Sequence, residues 1–332
     1  MAQRLKTACA RVLAAAGVAA GLLSFSFGVQ AESHFPTKPV RLIVPFAPGG
    51  VTDLTARVIA EGLTERLKQP VVVENRAGAS GNIGVAMAAQ AAPDGYTLVL
   101  GTIATQSVNS FLFKNTGFNA EKDFVAVSQV AAFPNVIAVT NNLPVHTLQE
   151  LIAYARANPG KLNYGSTGPG SSMYLVMEAM KLRYGLDIVH VPYRGSSLIQ
   201  TALIAGEIQV TADNLSTALP YVQSKQTRAL AVTSAERSTA APDIPTVAEA
   251  GSPELGMTSW LGMLAPAKTP APIVDLLSTN LRAILTNSAA AEKLTRLGAT
   301  PTGSTPAEFD AFIRAERAKW GKVLQAANVK PE

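Results

Sequence analysis

A two-lobed α/β architecture, with two segments crossing between the lobes, is what the sequence predicts. Three observations carry it. β-Branched runs alternate with helix-forming stretches along the chain, the signature of βαβ units and a mostly parallel sheet. The alternation restarts once, so there are two series and not one. No long linker, repeat of fixed period or low-complexity segment interrupts the 332 residues. With hydrophobic residues at 48% and charged residues at 15%, large cores can form and wholesale disorder is excluded.

The first series opens with Val40-Arg41-Leu42-Ile43-Val44, a strand that enters the turn Ala47-Pro48-Gly49-Gly50. A helix follows from Thr52 or Asp53, with Leu54, Val58, Ile59 and Leu63 at helical spacing. Val71-Val72-Val73 is the next strand, and the run from Gly78 to Asn82 leads into a helix near Ile83. Thr97-Leu98-Val99-Leu100 ends in Gly101-Thr102.

The second series begins at the strand Val136-Ile137-Ala138-Val139. Thr147-Leu148-Gln149-Glu150 is a capping box. Leu162-Asn163-Tyr164 leads to a glycine-serine loop, Gly165 to Ser172, and then a helix containing Met and Leu. Ile188 to Val191, Ile208 to Val210 and Ala229 to Val232 are further strands. Thr258 to Leu264 is strand-like again. Two or three helices close the chain, the last opened by Thr305-Pro306-Ala307-Glu308 with an N-cap, proline at N1 and Glu at N3. The chain is therefore expected to cross near Phe133 to Thr140 and return near Thr258 to Pro266. Lobe 1 is assigned to 32–134 and 258–332, and lobe 2 to 135–257. Such a double crossover makes a hinge, and ligands commonly bind at domain interfaces.

The leader reads as a secretory signal over residues 1–31. Arg4, Lys6 and Arg11 precede an apolar run from Val12 to Val29, and Val29-Gln30-Ala31 predicts cleavage after Ala31. An uncleaved anchor is the competing reading, because the run is about long enough to span a bilayer. Its alanines and glycines make it weakly apolar. Removing three of the 28 basic residues leaves 25 against 23 acidic ones, a net charge of +2, which gives no support to nucleic-acid binding. The one cysteine, Cys9, leaves with the leader, so the mature chain can form no disulfide framework.

Enzyme motifs fail in turn. His34, His146 and His190 share no metal-ligand spacing. His190 lies in an apolar strand and reads as a hydrogen-bonded structural histidine. Gly165 to Ser172 has the glycine spacing of a Walker A loop, but Ser171 stands where the lysine must be. Gly78, Gly81 and Gly84 do not make a dinucleotide fingerprint. Ser80 lacks the second glycine of a nucleophile elbow. No metal or cofactor is expected.

What remains is a set of small polar residues and glycines at strand ends: Ala47 to Thr52, Gly101 to Gln106, Gly165 to Ser172 and Asp213 to Ser216. Ligands gather at the carboxyl ends of strands in open α/β sheets. Unpaired amides at helix N-termini bind carboxylates without a cationic side chain. One such loop is ordinary turn chemistry. Four, divided between two lobes, point to a cleft.

The same residues resemble the tripartite tricarboxylate transporter substrate-binding proteins, or Bug family. The resemblance runs from Phe35-Pro36-Thr37-Lys38-Pro39-Val40 through Pro48-Gly49-Gly50 to Thr52-Asp53, and on to Val72-Val73-Glu74-Asn75-Arg76. It continues through Gly81-Asn82-Ile83-Gly84, Ala92-Pro93-Asp94-Gly95-Tyr96, Asn163-Tyr164-Gly165-Ser166 and His190-Val191-Pro192-Tyr193. It ends at Ile244-Pro245-Thr246-Val247-Ala248-Glu249-Ala250-Gly251. The resemblance implies a type II periplasmic-binding-protein fold closing on a small carboxylate: a di- or tricarboxylate, an acidic amino acid or an aromatic carboxylate. It also implies delivery to the membrane subunits of a tripartite transporter; with the leader, the chain is expected in the periplasm, and a monomer is expected. By matching motif, the ligand residues implied are Phe46, Gly49, Gly50, Thr52, Thr102, Ala104 and Thr105 from lobe 1. Those from lobe 2 are Ser166, Thr167, Gly170, Ser171, Asp213 and Asn214.

Two departures bear on the ligand. Val51 stands where many relatives carry a third glycine, and Thr102 to Gln106 lacks the Ser-Thr-His character common there. Both favour an apolar or aromatic carboxylate over citrate. Asp213 has two readings: it receives a ligand ammonium group, or it caps a helix and holds hydrogen bonds of the cleft. Two competing functions share the chain's features in part. A sensor module for a membrane receptor would use the same site. A secreted hydrolase would need the triad, metal set or P-loop lysine that the motifs lack.

Overall fold

The computed structural model describes residues 35–193, 195–286, 289–326 and 331. The signal assigned to residues 1–31 lies outside them. Two compact units divide the chain at Thr37/Lys38, and every element named below belongs to the second.

β1 (Val40–Val44), β2 (Val71–Asn75) and β3 (Thr97–Thr102) form a parallel group with β1 in the middle. Helices α1 (Val51–Leu67) and α2 (Asn82–Ala89) make the βαβ connections. A π-helical turn, Ala104–Val108, leads from β3 into the short helix α3 (Asn109–Leu112). The sequence places Gly101 to Gln106 where a strand hands over to a helix and gives no sign of the π-helical form.

β4 (Phe124–Thr140) is the longest strand, at 17 residues. Its N-terminal part pairs with β9 (Thr258–Pro266), from Phe124↔Pro266 to Pro134↔Thr258. From Asn135 onward it pairs instead with β7 (Val210–Asn214) and β8 (Thr227–Val232). α4 (Leu148–Ala157), β5 (Leu162–Ser166), α5 (Ser172–Tyr184), β6 (Ile188–Pro192), α6 (Ser196–Ala205) and α7 (Leu215–Gln223) complete the second series. The strand order is β2-β1-β3-β9-β4-β7-β5-β6.

The fold is thus a two-lobed α/β structure built on one curled sheet. It is less parallel than the sequence predicts. β9 runs antiparallel to β3 and β4, and β4 runs antiparallel to β7 and β8. The βαβ rule governs each series, but the two long strands that join the series run against it. Only the second part of β4 is legible in the sequence, because Phe124 to Pro134 lacks a clean alternation of apolar and polar residues.

α8 (Ala271–Leu285), α9 (Ala289–Arg296) and α10 (Pro306–Ala326) return to the first series. β10 (Thr300–Pro301) pairs with β4 before α10 begins. The Thr305 capping box closes as predicted: Thr305 N donates to Glu308 Oε2 at 2.8 Å, and Glu308 N donates to Thr305 Oγ1 at 3.3 Å. α10 lays Phe309 against Trp260 of β9, edge to face with ring centroids 5.5 Å apart, and both rings are fully buried.

Candidate functional site

The loop after β1 is held from beneath by Asp53, in the first turn of α1. Gly49 N donates to Asp53 Oδ2 at 2.9 Å, and Arg57 Nε donates to the same oxygen at 3.0 Å. Asn75 Nδ2 donates to Asp53 Oδ1 at 2.9 Å and to the Phe46 carbonyl at 3.1 Å. Gly49 takes the left-handed φ of +83°, which favours glycine. Gly50 caps α1 with no side-chain hydrogen bond, so the first-turn amides keep their donors for another acceptor. Residues 47–51 are exposed, whereas Thr52 and Asp53 are buried.

Burial pushes the Asp53 carboxyl up, but the hydrogen bonds from Arg57, Gly49 and Asn75 outweigh it and hold the group below its ordinary 3.8. A depressed folded value means stability that is present above the unfolded value and lost as pH falls through the folded one. Asp53→Asn is therefore expected to lower unfolding free energy by about 1–3 kcal/mol near neutrality. The gap from wild type should narrow below about pH 4. Urea denaturation at the two pH values checks both parts, and a gap that widens in acid would refute the assignment.

The loops of the first series meet. A Cβ on Gly81 would lie 2.8 Å from Thr105 Cγ2 and 3.2 Å from the Phe46 ring, so Phe46 and Thr105 converge on that glycine. Thr102 and Thr105 brace each other: Thr102 N donates to Thr105 Oγ1 at 3.0 Å, and Thr105 N donates to Thr102 Oγ1 at 3.3 Å. Asn109 Nδ2 donates to Asn82 Oδ1 at 2.6 Å and to the Ser80 carbonyl at 3.1 Å. Arg317 of α10 donates to the Gln106 carbonyl at 2.6 Å, tying the C-terminal helix to the π-helical turn.

The second series reaches this cluster through its glycine loop. Gly170, at φ +86°, is buried against Val108, Leu112 and Asn109. Ser172 Oγ accepts from Asn135 Nδ2 at 3.0 Å, and Asn135 is the cross-strand partner of Asn214. Gly81 thus sits between Phe46 and Thr105, Gly170 reaches Asn109, and Asn135 joins Ser172 to Asn214. Among the described residues, buried side-chain atoms without a hydrogen-bond partner include Asn82 Nδ2, Asn109 Oδ1, Asn135 Oδ1 and Asn214 Oδ1. Each such atom costs about 1–3 kcal/mol while unpaired; of these four, Asn82 Nδ2 is a donor and the three oxygens are acceptors.

Several predicted side chains are engaged within the protein. Ser171 Oγ donates to the Gly168 carbonyl at 2.8 Å and accepts from Tyr174 N at 3.2 Å, as the N-cap of α5. Asp213 is fully buried. It accepts from Ser196 Oγ at 2.9 Å, Gln200 Nε2 at 2.8 Å and Asn214 N at 2.7 Å. Of the two uses read from the sequence, these bonds are the internal one, bracing α6 against the end of β7. Burial raises its carboxyl above 3.8 against the pull of those donors. Ser166 is also fully buried, with Gly168 N donating to its Oγ at 3.0 Å and His190 Nε2 2.7 Å away. Thr167 is exposed and Ala104 half-buried.

Sequence reasoning missed Asn82, Asn109, Asn135 and the pairing of His190 with Ser166. Asn82 lies inside a quoted motif, but no spacing rule joins it to Asn109. A depression of about 570 Å³ lies elsewhere among the described residues, between α10 and the stretch before β4, lined by residues such as Phe111, Glu121, Arg314 and Lys322. It contains none of the predicted residues.

The family model of the tripartite tricarboxylate transporter family receptor matches residues 55–329. The chain belongs to that family. It is 36% identical to Protein BugT of Bordetella pertussis over 96% of this chain and 98% of that one. It is 38% identical to a UPF0065 protein of the same organism, over 90% and 92%. Among solved structures, R. palustris Rpa4515 with adipate superposes with a TM-score of 0.79 at 38% identity, covering 90% of this chain and all of that one. MatC from Rhodopseudomonas palustris with bound malate gives 0.75 at 31% identity, over 87% and 100%. These receptors are solute-binding proteins of the periplasmic-binding class, and their two-lobed fold is the fold described above.

Proposed function

We propose that this receptor captures a small carboxylate between its two halves and hands it to the membrane subunits of a tripartite transporter without chemically changing it. The observation that supports it is the packing of the Gly165–Ser172 loop, through Gly170, against Val108, Leu112 and Asn109 of the first series, in which the first-turn amides of α1 have no side-chain cap. The donors that suit an acceptor-rich anion are the α1 amides and Asn82 Nδ2, and they need no cation or metal. In this reading the first half comprises residues up to Pro134 and from Thr258 onward, with 135–257 as the second, and β4 and β9 are the crossing segments. The leader directs export to the periplasm. Phe46, Gly49, Gly50, Thr52, Thr102, Ala104, Thr105, Ser166, Thr167, Gly170 and Asn214 lie around the solute. Ser171 and Asp213 hold the loops that meet it.

The solute class this reading favours is a dicarboxylate with an apolar spacer. Val51, at 36% exposure, places an apolar side chain beside the α1 amides. Its relatives include proteins solved with adipate and with malate. Capture works by differential affinity: a solute touching both halves favours the arrangement in which they meet. A thermal-shift screen of mono-, di- and tricarboxylates on refolded, ligand-stripped protein tests this. At least one dicarboxylate should raise the melting temperature, with an aliphatic one ahead of citrate. No response to any carboxylate would refute the reading.

A further inference from the structure

His190 stands behind the glycine loop, half-buried on the edge strand β6. Its ring stacks on Tyr164 of β5 at 4.8 Å and meets the edge of Tyr174 of α5 at 5.0 Å. The charged groups facing it are Glu178 and Lys181, both from α5. Glu178 is itself held by Tyr164 Oη and Lys181 Nζ, each donating at 2.7 Å. Burial first, then Glu178, raises both phenols, Tyr174 to about 12, so neither titrates near neutrality.

Ser166 Oγ carries one hydrogen and two acceptor positions. Gly168 N occupies one of these positions. A neutral imidazole with a bare Nε2 takes the hydroxyl hydrogen. An imidazolium has N–H at both ring nitrogens, so Nε2 must donate. Ser166 then accepts from both sides, and its hydrogen must turn to a third group.

We propose that His190 is a positioning residue whose protonation turns the Ser166 hydroxyl from an internal donor into a donor for the captured carboxylate, so that acid tightens binding. The inference rests on the capture reading above. Burial, opposed by Glu178 and reinforced by Lys181, holds His190 below its ordinary 6.5. The charged form therefore gains as pH falls below that value, and by linkage the bound carboxylate draws a proton onto the ring.

Adipate titrated calorimetrically from about pH 5.5 to about pH 8 tests it, with malate as the probe if adipate does not bind. Wild type should bind about three- to tenfold more tightly at the acid end, the worth of one hydrogen bond. His190→Gln, whose amide can donate at every pH, should bind near the acid-end affinity with a flat profile. His190→Phe keeps the stacking but not the bond, and should be weak and flat. Ring-proton spectra of the ligand-free protein should show the His190 titration moving in Ser166→Ala. A pH dependence in His190→Gln equal to that of wild type, or a His190 titration indifferent to Ser166→Ala, would overturn this inference alone. No binding of either probe by wild type at any pH, together with no response to any carboxylate in the thermal-shift screen, would overturn the capture reading and this inference with it.

Discussion

Gly170→Val is expected to weaken carboxylate binding by about fivefold to about a hundredfold while leaving the protein folded. At φ +86° a side chain is disfavoured by about 1–2 kcal/mol. Its Cβ would lie 2.8 Å from Leu112 Cδ1 and 3.4 Å from Val108 Cγ1, and crowding of that kind costs a further 1–3 kcal/mol or so. The strain is carried by the loop itself, whereas the crowding falls where the loop meets Leu112 and Val108. Apparent affinity falls in proportion to the population of the binding-competent form, and a crowding cost of about 1–3 kcal/mol corresponds to a loss of about fivefold to about a hundredfold. Two controls separate the causes. Gly168 also has positive φ, +109°, but a Cβ there meets nothing within 4 Å, so Gly168→Ala reports loop strain alone. Leu112→Ala added to Gly170→Val should recover part of the loss. Equal affinity in Gly170→Val and wild type, measured by calorimetry with adipate, would mean that this contact is not used in binding.

The second large effect is on stability. Gly262 lies mid-strand in β9, opposite Gly101 of β3 and Gln129 of β4. A Cβ there would stand 1.9 Å from Phe309 Cζ. Phe309 has no room to swing, because it is fully buried and edge-on to Trp260. Gly262→Ala must therefore lift α10 off the sheet, at a cost of about 3 kcal/mol or more. α10 also carries Arg317, which holds the Gln106 carbonyl, so displacement there reaches the turn bearing Thr105. Urea unfolding should show the loss, and trimming the ring with Phe309→Leu should restore part of it. Stability within about 0.5 kcal/mol of wild type would contradict the packing described.

The sequence is most informative where physics is local. Strand β1, the helix after it and the capping box at Thr305 follow from β-branched runs, periodicity and cap chemistry within a few residues. The glycine loops are legible for the same reason: Gly49 and Gly170 take positive φ, and Ser171 caps its helix. What is not legible depends on distant partners. β4 reads poorly before Asn135 because its pairing with β9 comes from residues more than a hundred positions away. The π-helical turn after β3 is supported by Arg317 from the far C-terminus. Asn82 and Asn109 belong to different loops, and only the folded chain brings their amides to 2.6 Å. His190 is recognisable in the sequence as a hydrogen-bonded histidine, but its partner Ser166 comes from the neighbouring strand. Asp213 illustrates the converse: its type and place suggest a cleft, while its three donors are fixed by α6 and its own neighbour.

The measurement that bears most directly on carboxylate capture is a crystal structure of the ligand-stripped protein soaked or co-crystallised with adipate. One carboxylate of the solute should accept from main-chain amides between Gly49 and Asp53, and the molecule should also touch the loop from Gly165 to Ser172. Adipate seated in the depression between α10 and the stretch before β4, against Arg314 and Lys322, would contradict it.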